Sequence, residues 1–146
     1  MNLEKFTERA RGFLQAAQTI ALREGHQRLV PEHLAKALLD DPEGMAGTLI
    51  AKAGGDAKQA RQGVDAAVAR IPKVSGGDGQ IYLDTNTARV IAEAESLAEK
   101  AGDSFVTAER LLTALALAKG GEAGKALAKA GVDAQRLTAA IEAMRK

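Results

Sequence analysis

The sequence repeats itself, without a gap, at an offset of 77 residues. Shifted by that amount, Glu32 aligns with Glu109, and the run Ala51–Gly54 aligns with the identical run Ala128–Gly131. Most other aligned positions keep their apolar or polar class. Two such similar segments predict two copies of one structural unit packed against each other. This arrangement leaves a seam between the copies, rimmed by equivalent helix ends, where a partner could bind.

The composition favours helices. Hydrophobic residues make up 46% of the chain, but aromatic residues only 3%, and there is no Trp. A core of Ala, Leu, Val and Ile suits closely packed helices better than a β-sandwich. Apolar residues also recur with helical spacing in each copy. We predict an all-α fold of two pseudo-symmetric four-helix repeats, with about eight helices.

Helix start and stop signals divide each copy into four helices. Glycines, which accept the left-handed conformation, predict the ends of the first and third helices, while Pro and capping side chains predict the starts of the second and fourth. The glycines are Gly25, Gly54, Gly102 and Gly131, and the start signals are Pro31, Asp56, Thr107 and Asp133. We predict a single domain over 1–146, with repeat one at 1–71, a flexible linker at 72–80 and repeat two at 81–146.

Charge and residue usage exclude several classes of function. The chain has 20 basic and 19 acidic residues, without the basic cluster that would bind nucleic acid. It lacks cysteine, which fits a reducing compartment and excludes thiolate metal sites. The chain begins without the apolar stretch of a signal peptide, and its apolar runs are too short to cross a bilayer. We therefore expect a cytoplasmic protein that binds neither nucleic acid nor membrane.

Catalytic motifs are incomplete. The segment 119–126 has glycines and a lysine like a phosphate-binding loop, but the first glycine and the terminal hydroxyl residue are misplaced. His26 and His33 lack the spacing of a metal-binding pair on one helix face, and we expect both at the surface. We predict that this domain is not an enzyme and binds no cofactor or metal.

Both copies keep a carboxylate in the first turn of the second helix, at Glu32 and Glu109. Favourable interaction with the helix dipole accounts for such a residue and is worth less than about 1 kcal/mol when exposed. Alternatively, these carboxylates lie beside exposed backbone donors and form the polar rim of a peptide-binding groove. The sequence leaves both interpretations open.

Several segments resemble one family. They are Phe6–Ala10, Gly25–Gln27, Val30–Leu34, Ala37–Leu39, Pro72–Gly77 and Gln80–Leu83. Together they resemble the N-terminal domains of the ClpB disaggregase chaperones, in the Clp AAA+ family, over the whole chain. The linker ending in Tyr82 and Leu83 favours ClpB over its ClpA and ClpC relatives.

The resemblance implies a domain that captures unfolded or aggregated polypeptide for threading by the ATPase rings of a hexamer. ATP, magnesium and the DnaK chaperone system would then belong to the rest of the parent protein. The resemblance also implies a substrate groove with a polar rim and an apolar strip. The matching residues are Thr7, Asp103 and Glu109 for the rim, and Val90 and Leu97 for the strip. The rim would form hydrogen bonds and carboxylate contacts with the bound peptide, and the strip would make desolvated apolar contacts with it.

Two residues depart from the family pattern. Glu93 and Arg110 lie on or near the strip, where relatives often carry apolar residues. Either the groove is more polar, or Arg110 pairs with Glu93 or Glu109 and partly closes it. The helical stripe also allows Leu97 to belong to the core. As a surface carboxylate, Asp103 should cost at most about 1 kcal/mol of stability when replaced by alanine.

Two other functions remain open. The first is an adaptor-docking domain of a ClpA- or ClpC-type unfoldase, which would bind one folded adaptor or a modified residue held by Glu32 and Glu109. The second is a free-standing structural protein.

Overall fold

The fold, seen in a computed structural model that describes residues 3–75 and 79–145, is built mainly of helices. The described residues form a short 3-10 helix (Leu3–Lys5) and eight α-helices, namely α1 (Glu8–Arg23), α2 (Pro31–Leu39), α3 (Met45–Lys52), α4 (Ala57–Ala69), α5 (Thr85–Lys100), α6 (Ala108–Leu117), α7 (Glu122–Lys129) and α8 (Ala134–Met144). Two short strands, β1 (Arg28–Leu29) and β2 (Tyr82–Leu83), form a parallel pair. The all-α prediction with eight helices is confirmed, with this small sheet as an addition.

The sequence offset is preserved in the structure. Each of the helices α5–α8 begins 77 residues after its counterpart among α1–α4, as the starts at 8 and 85 and at 31 and 108 illustrate. We call α1–α4 repeat one and α5–α8 repeat two. The predicted limits of the repeats stay predictions, because the connection between them includes residues 76–78, which lie outside the described residues.

The helix ends follow the local signals. Gly25 and Gly102, just beyond α1 and α5, both have φ +75°, the left-handed conformation that glycine adopts without strain. Asp56 and Asp133 each accept the N–H of the third residue of the following helix, at 3.1 and 3.0 Å. Thr107 does precede α6, but its hydroxyl makes no capping bond. The capping role predicted for that side chain is therefore wrong.

In each repeat, the segment just before the first helix pairs with a segment of the other repeat. β2 lies just ahead of α5, yet it pairs with β1, which precedes α2 in repeat one. At the counterpart positions, Phe6 ahead of α1 forms a parallel bridge with Val106 ahead of α6. The Thr7 N–H donates to the Val106 carbonyl at 3.0 Å, and the Asp84 N–H donates to the Leu29 carbonyl at 3.1 Å. The repeats are therefore interlocked rather than merely adjacent.

One hydrophobic core runs through both repeats. The second helix of each repeat lies at its centre, and Leu34, Leu38, Leu111 and Leu115 are fully buried there. The outer helices also pack against helices of the other repeat: α4 packs on α7, and α3 packs on α8.

The predicted linker 72–80 lies partly outside the described residues, at 76–78. In its described part, the Val74 N–H donates to the Gly25 carbonyl at 2.8 Å. The Lys73 side chain lies against Gly25. This end of the linker is therefore bonded to the corner that follows α1.

Candidate functional site

A cavity of about 610 Å³ opens at the seam between the repeats. Its walls are the exposed side of α5, the start of α2 and the corner between α6 and α7. We call it the seam cleft. Because β2 places the start of α5 beside β1, the strand pairing brings two of these walls, α5 and the start of α2, together.

The floor of the seam cleft is apolar. Val30, Pro31, Val90, Leu115 and Leu117 line it. Leu117 is 41% exposed. An apolar concavity with polar groups at its edge is the usual form of a site that binds a peptide or small ligand.

Carboxylates surround this floor. Glu32, Asp84, Glu93 and Glu122 all line the cleft. Burial raises the pKa of the Glu32 carboxyl, and the nearby charges of Glu122 and Asp84 raise it further. Asp84 and Glu122 are partly neutralised by arginines beside the cleft, at 3.2 and 3.4 Å. Arg89 also lines the cleft. The cleft thus combines an apolar floor with an edge of four carboxylates and one arginine.

The glycines of segment 119–126 have a packing role. Gly124 lies in α7, and a Cβ atom there would collide with the Ala118 carbonyl oxygen at the end of α6. Glycine at this position therefore lets α7 approach the end of α6 and form the corner of the seam cleft.

Repeat one contains an equivalent groove of about 580 Å³, between α1 and the corner from α2 to α3. There Arg9 donates to both Asp41 and Glu43 at 2.8 Å and lies over the Phe13 ring. The counterpart of Arg9 in the seam cleft is Asn86, 77 residues further on. The ion pairs of Arg9 thus cross the repeat-one groove. In the seam cleft, the shorter and uncharged Asn86 takes the place of Arg9.

The predicted apolar strip lies on α5. Val90 is 2% exposed and lines the seam cleft, while Leu97 is half-buried and packs against the core. Glu93 lies between them on the same helix face, because residues three and four apart are neighbours on a helix. Glu93 therefore places a carboxylate between the two apolar residues of the strip, as its sequence position indicated.

The predicted polar rim lies elsewhere. Thr7 caps α1 by accepting the Ala10 N–H at 3.0 Å, and Asp103 and Glu109 flank the Val106 segment to which Thr7 is bonded. None of these three lines the seam cleft. At the 77-residue offset, Thr7 and Glu109 correspond to Asp84 and Glu32, which do line it. Of the five predicted residues, Val90 therefore lines the seam cleft, while Thr7, Asp103 and Glu109 lie at the Val106 segment.

Asp103 has a structural role that the sequence did not indicate. Its carboxylate accepts from Arg110 Nε at 3.1 Å and from Arg145 Nη1 at 2.8 Å. Burial would raise the pKa of Asp103, but the hydrogen bonds from these two arginines outweigh it and hold that pKa below its ordinary value of 3.8. The Arg110 side chain is only 3% exposed. The expectation that Arg110 pairs with Glu93 or Glu109 is wrong, because its guanidinium bonds to Asp103.

The histidine prediction is also wrong. His26 and His33 are 4% and 0% exposed, and their rings are hydrogen-bonded to each other at 2.8 Å. The loop that follows α1 folds back over α2, so two residues seven apart meet in the interior. Their counterparts at the 77-residue offset are Asp103 and Arg110, a correspondence that could have revealed the pairing from sequence.

Residues 3–75 and 79–145 also bear on metal binding and membrane insertion. They contain no cluster of three or more His, Cys, Asp or Glu side chains that could hold a metal ion. No helix in this part of the chain has the length and apolar character needed to span a bilayer.

A family model described as the Clp repeat (R) N-terminal domain matches residues 5–130. Since this match covers most of the sequence, the chain belongs to that family.

The curated relatives of this chain include chaperone proteins named ClpB. The chain is 57% identical over 147 residues to chaperone protein ClpB of Rhodopseudomonas palustris, and 56% identical over 146 residues to that of Agrobacterium fabrum. Each match covers 100% of this chain but 17% of the relative, so the chain spans about a sixth of their length. The Hsp104 N-terminal domain from Candida albicans shares the fold, with a TM-score of 0.82 at 22% identity over 96% of this chain and 91% of that one.

Proposed function

We propose that this chain is the N-terminal substrate-recognition domain of an ATP-dependent disaggregase of the ClpB type. It captures unfolded or aggregated polypeptide for threading by ATPase rings. The observation that carries the proposal is the seam cleft, whose apolar floor and acidic edge suit an extended chain with apolar and basic side chains. The relatives supply the context, since their names identify them as ClpB chaperones.

The parent protein would supply the remaining functions. ATP and magnesium would bind in its ATPase modules, which would form the hexamer, and a DnaK-type chaperone would cooperate with it in the cytoplasm. The domain described here would contribute binding alone, without catalysis.

Thr7, Val90, Leu97, Asp103 and Glu109 remain part of the proposal in two roles. Val90 would form part of the cleft floor, and Leu97 would extend the apolar strip along α5. Thr7, Asp103 and Glu109 would form a second polar contact at the Val106 segment, where a long unfolded chain could also reach.

We expect Leu117→Ser to weaken binding of a permanently unfolded model protein about tenfold. Leu117 presents exposed apolar surface in the cleft, and loss of such a contact typically costs about 1 to 2 kcal/mol of binding free energy. Fluorescence anisotropy with a labelled unfolded protein measures the change. Thermal unfolding should show less than about 1 kcal/mol of lost stability, because the side chain is substantially exposed.

The matched control is Leu22→Ser. Leu22 is 54% exposed on α1 and does not line the seam cleft. The control should bind like the unchanged protein. Equal weakening by both substitutions, or by neither, would contradict the placement of the site in the cleft.

A further inference from the structure

A pair of buried histidines joins the corner between α1 and α2. His26 lies just beyond Gly25, and His33 is the third residue of α2. His26 Nδ1 and His33 Nε2 are 2.8 Å apart, and the ring centroids are 5.1 Å apart. In the chain, β1 lies between the two histidines, so their bond closes a short loop that carries this strand.

The backbone fixes where the protons are. The Val30 N–H donates to His33 Nδ1 at 3.1 Å, so that nitrogen is an acceptor. A neutral imidazole has one donor and one acceptor, and His33 Nε2 therefore carries the proton and donates it to His26 Nδ1. An added proton on His33 Nδ1 would oppose the Val30 N–H. One on His26 Nδ1 would oppose the His33 N–H.

Repeat two makes the same link with a different chemistry. The counterparts of His26 and His33 are Asp103 and Arg110, whose ion pair spans 3.1 Å. In that pair Arg110 Nε donates to the Asp103 carboxylate, and the lowered pKa of Asp103 keeps this acceptor charged in mild acid. The two corners of the seam therefore differ in their response to acid.

We propose that the His26–His33 hydrogen bond is an acid-sensitive latch. It holds β1 against β2 at neutral pH, and this hold weakens in mild acid. The counterpart bridge between Phe6 and Val106 stays closed under the same conditions. The latch thus controls one edge of the seam, where β1 leads directly into the Val30 and Pro31 wall of the cleft.

The charged groups around the two histidines come from several elements packed against them. Burial lowers the pKa of His33 to about 4, the nearby His26 lowers it further, and Glu24 at the end of α1 raises it. Glu24 itself lies 3.8 Å from Arg23, and Lys73 lies against Gly25 from the segment after α4. On the other side of α2, Lys36 is paired with Asp40 and with Asp65 of α4.

The direction of the pH effect follows from these pKa values. In the opened corner His33 is hydrated and has the ordinary pKa of 6.5, while in the closed corner it has a pKa of about 4. The open state therefore binds more protons between these values, and the latch weakens as pH falls through that window. From pH 7.5 to pH 5, the equilibrium constant for opening should rise about 25-fold.

Amide hydrogen exchange of the 146-residue chain, followed by NMR and corrected for intrinsic exchange rates, tests this directly. The Asp84 N–H, bonded to Leu29 beside the latch, should lose about 25-fold in protection between pH 7.5 and pH 5. The Thr7 N–H, bonded to Val106 in the other repeat, is the matched internal control and should change less than about twofold. Equal changes at both amides, or no change at Asp84, would overturn the proposal.

The double variant His26→Asp with His33→Arg transplants the pair from repeat two. Its Asp84 protection should be independent of pH over the same range, and retained dependence would overturn the latch. The ring nitrogen shifts of His33 in the unchanged protein provide a second readout that needs no variant. They should report an unprotonated Nδ1 at neutral pH and titration near pH 4, whereas titration near pH 6.5 would rule the latch out.

Discussion

Fragments 1–75 and 79–146, produced separately, are each expected to be largely unfolded. Each half would lose the strand partner that the other repeat provides, together with the crossed packing of α3 on α8 and of α4 on α7. Its central helix would expose leucines that are fully buried in the complete chain. A helical unit of about 70 residues is marginal even with its core complete.

Circular dichroism of each fragment and of their mixture measures this. Helical signal should be weak in each fragment alone and should recover on mixing, while the full chain should unfold in a single transition. A cooperative thermal transition in either fragment alone would contradict the interlocked arrangement. So would two separate transitions in the full chain.

Asp103→Ala is expected to destabilise the fold by about 3 kcal/mol, well above the limit that its sequence context predicts. Removing one partner leaves the buried guanidinium of Arg110 uncompensated, and such losses cost about 3 to 5 kcal/mol when the site is fully buried. Asp103 is slightly exposed, so we expect the lower end of this range. Chemical denaturation at pH 7 measures the change in unfolding free energy.

Two controls test whether the lost stability comes from the Asp103–Arg110 ion pair. Arg145→Ala removes the exposed partner of Asp103 and should cost at most about 1 kcal/mol. Adding Arg110→Leu to Asp103→Ala should restore most of the lost stability, because no buried charge then remains unpaired. Since the pKa of Asp103 is lowered, the pair's contribution is complete above pH 3.8 and is lost as pH falls through the folded-state pKa. A loss below about 1 kcal/mol for Asp103→Ala would contradict the structural role of this pair.

Local signals in the sequence were sufficient for most helix boundaries. Pro31 fixes φ at the first position of α2, and Asp56 and Asp133 cap α4 and α8 through short-range bonds that depend only on neighbouring residues. The 77-residue offset then predicted the positions of α5–α8 from those of α1–α4. The helical architecture was therefore predictable because it rests on local geometry.

Contacts between distant segments were not predictable in the same way. Strands β1 and β2 have two residues each, too few to show an alternating pattern, and their pairing crosses from one repeat to the other. The burial of His26, His33 and Arg110 depends on loops that fold back after α1 and α5. For the site, the sequence analysis named Val90, which lines the seam cleft, but not the exposed Leu117, which lies at the corner that Gly124 allows.

The most direct test of the account is an NMR titration of the labelled 146-residue chain with a permanently unfolded protein. Binding in the seam cleft predicts the largest amide shifts at Val90, Glu93 and Leu117, with smaller shifts at Thr7 and Glu109. Modest affinity, around micromolar or weaker, is expected because a shallow cleft must order a flexible chain. Shifts confined to α4 and α8, or no shifts at millimolar concentrations, would contradict substrate capture in the cleft.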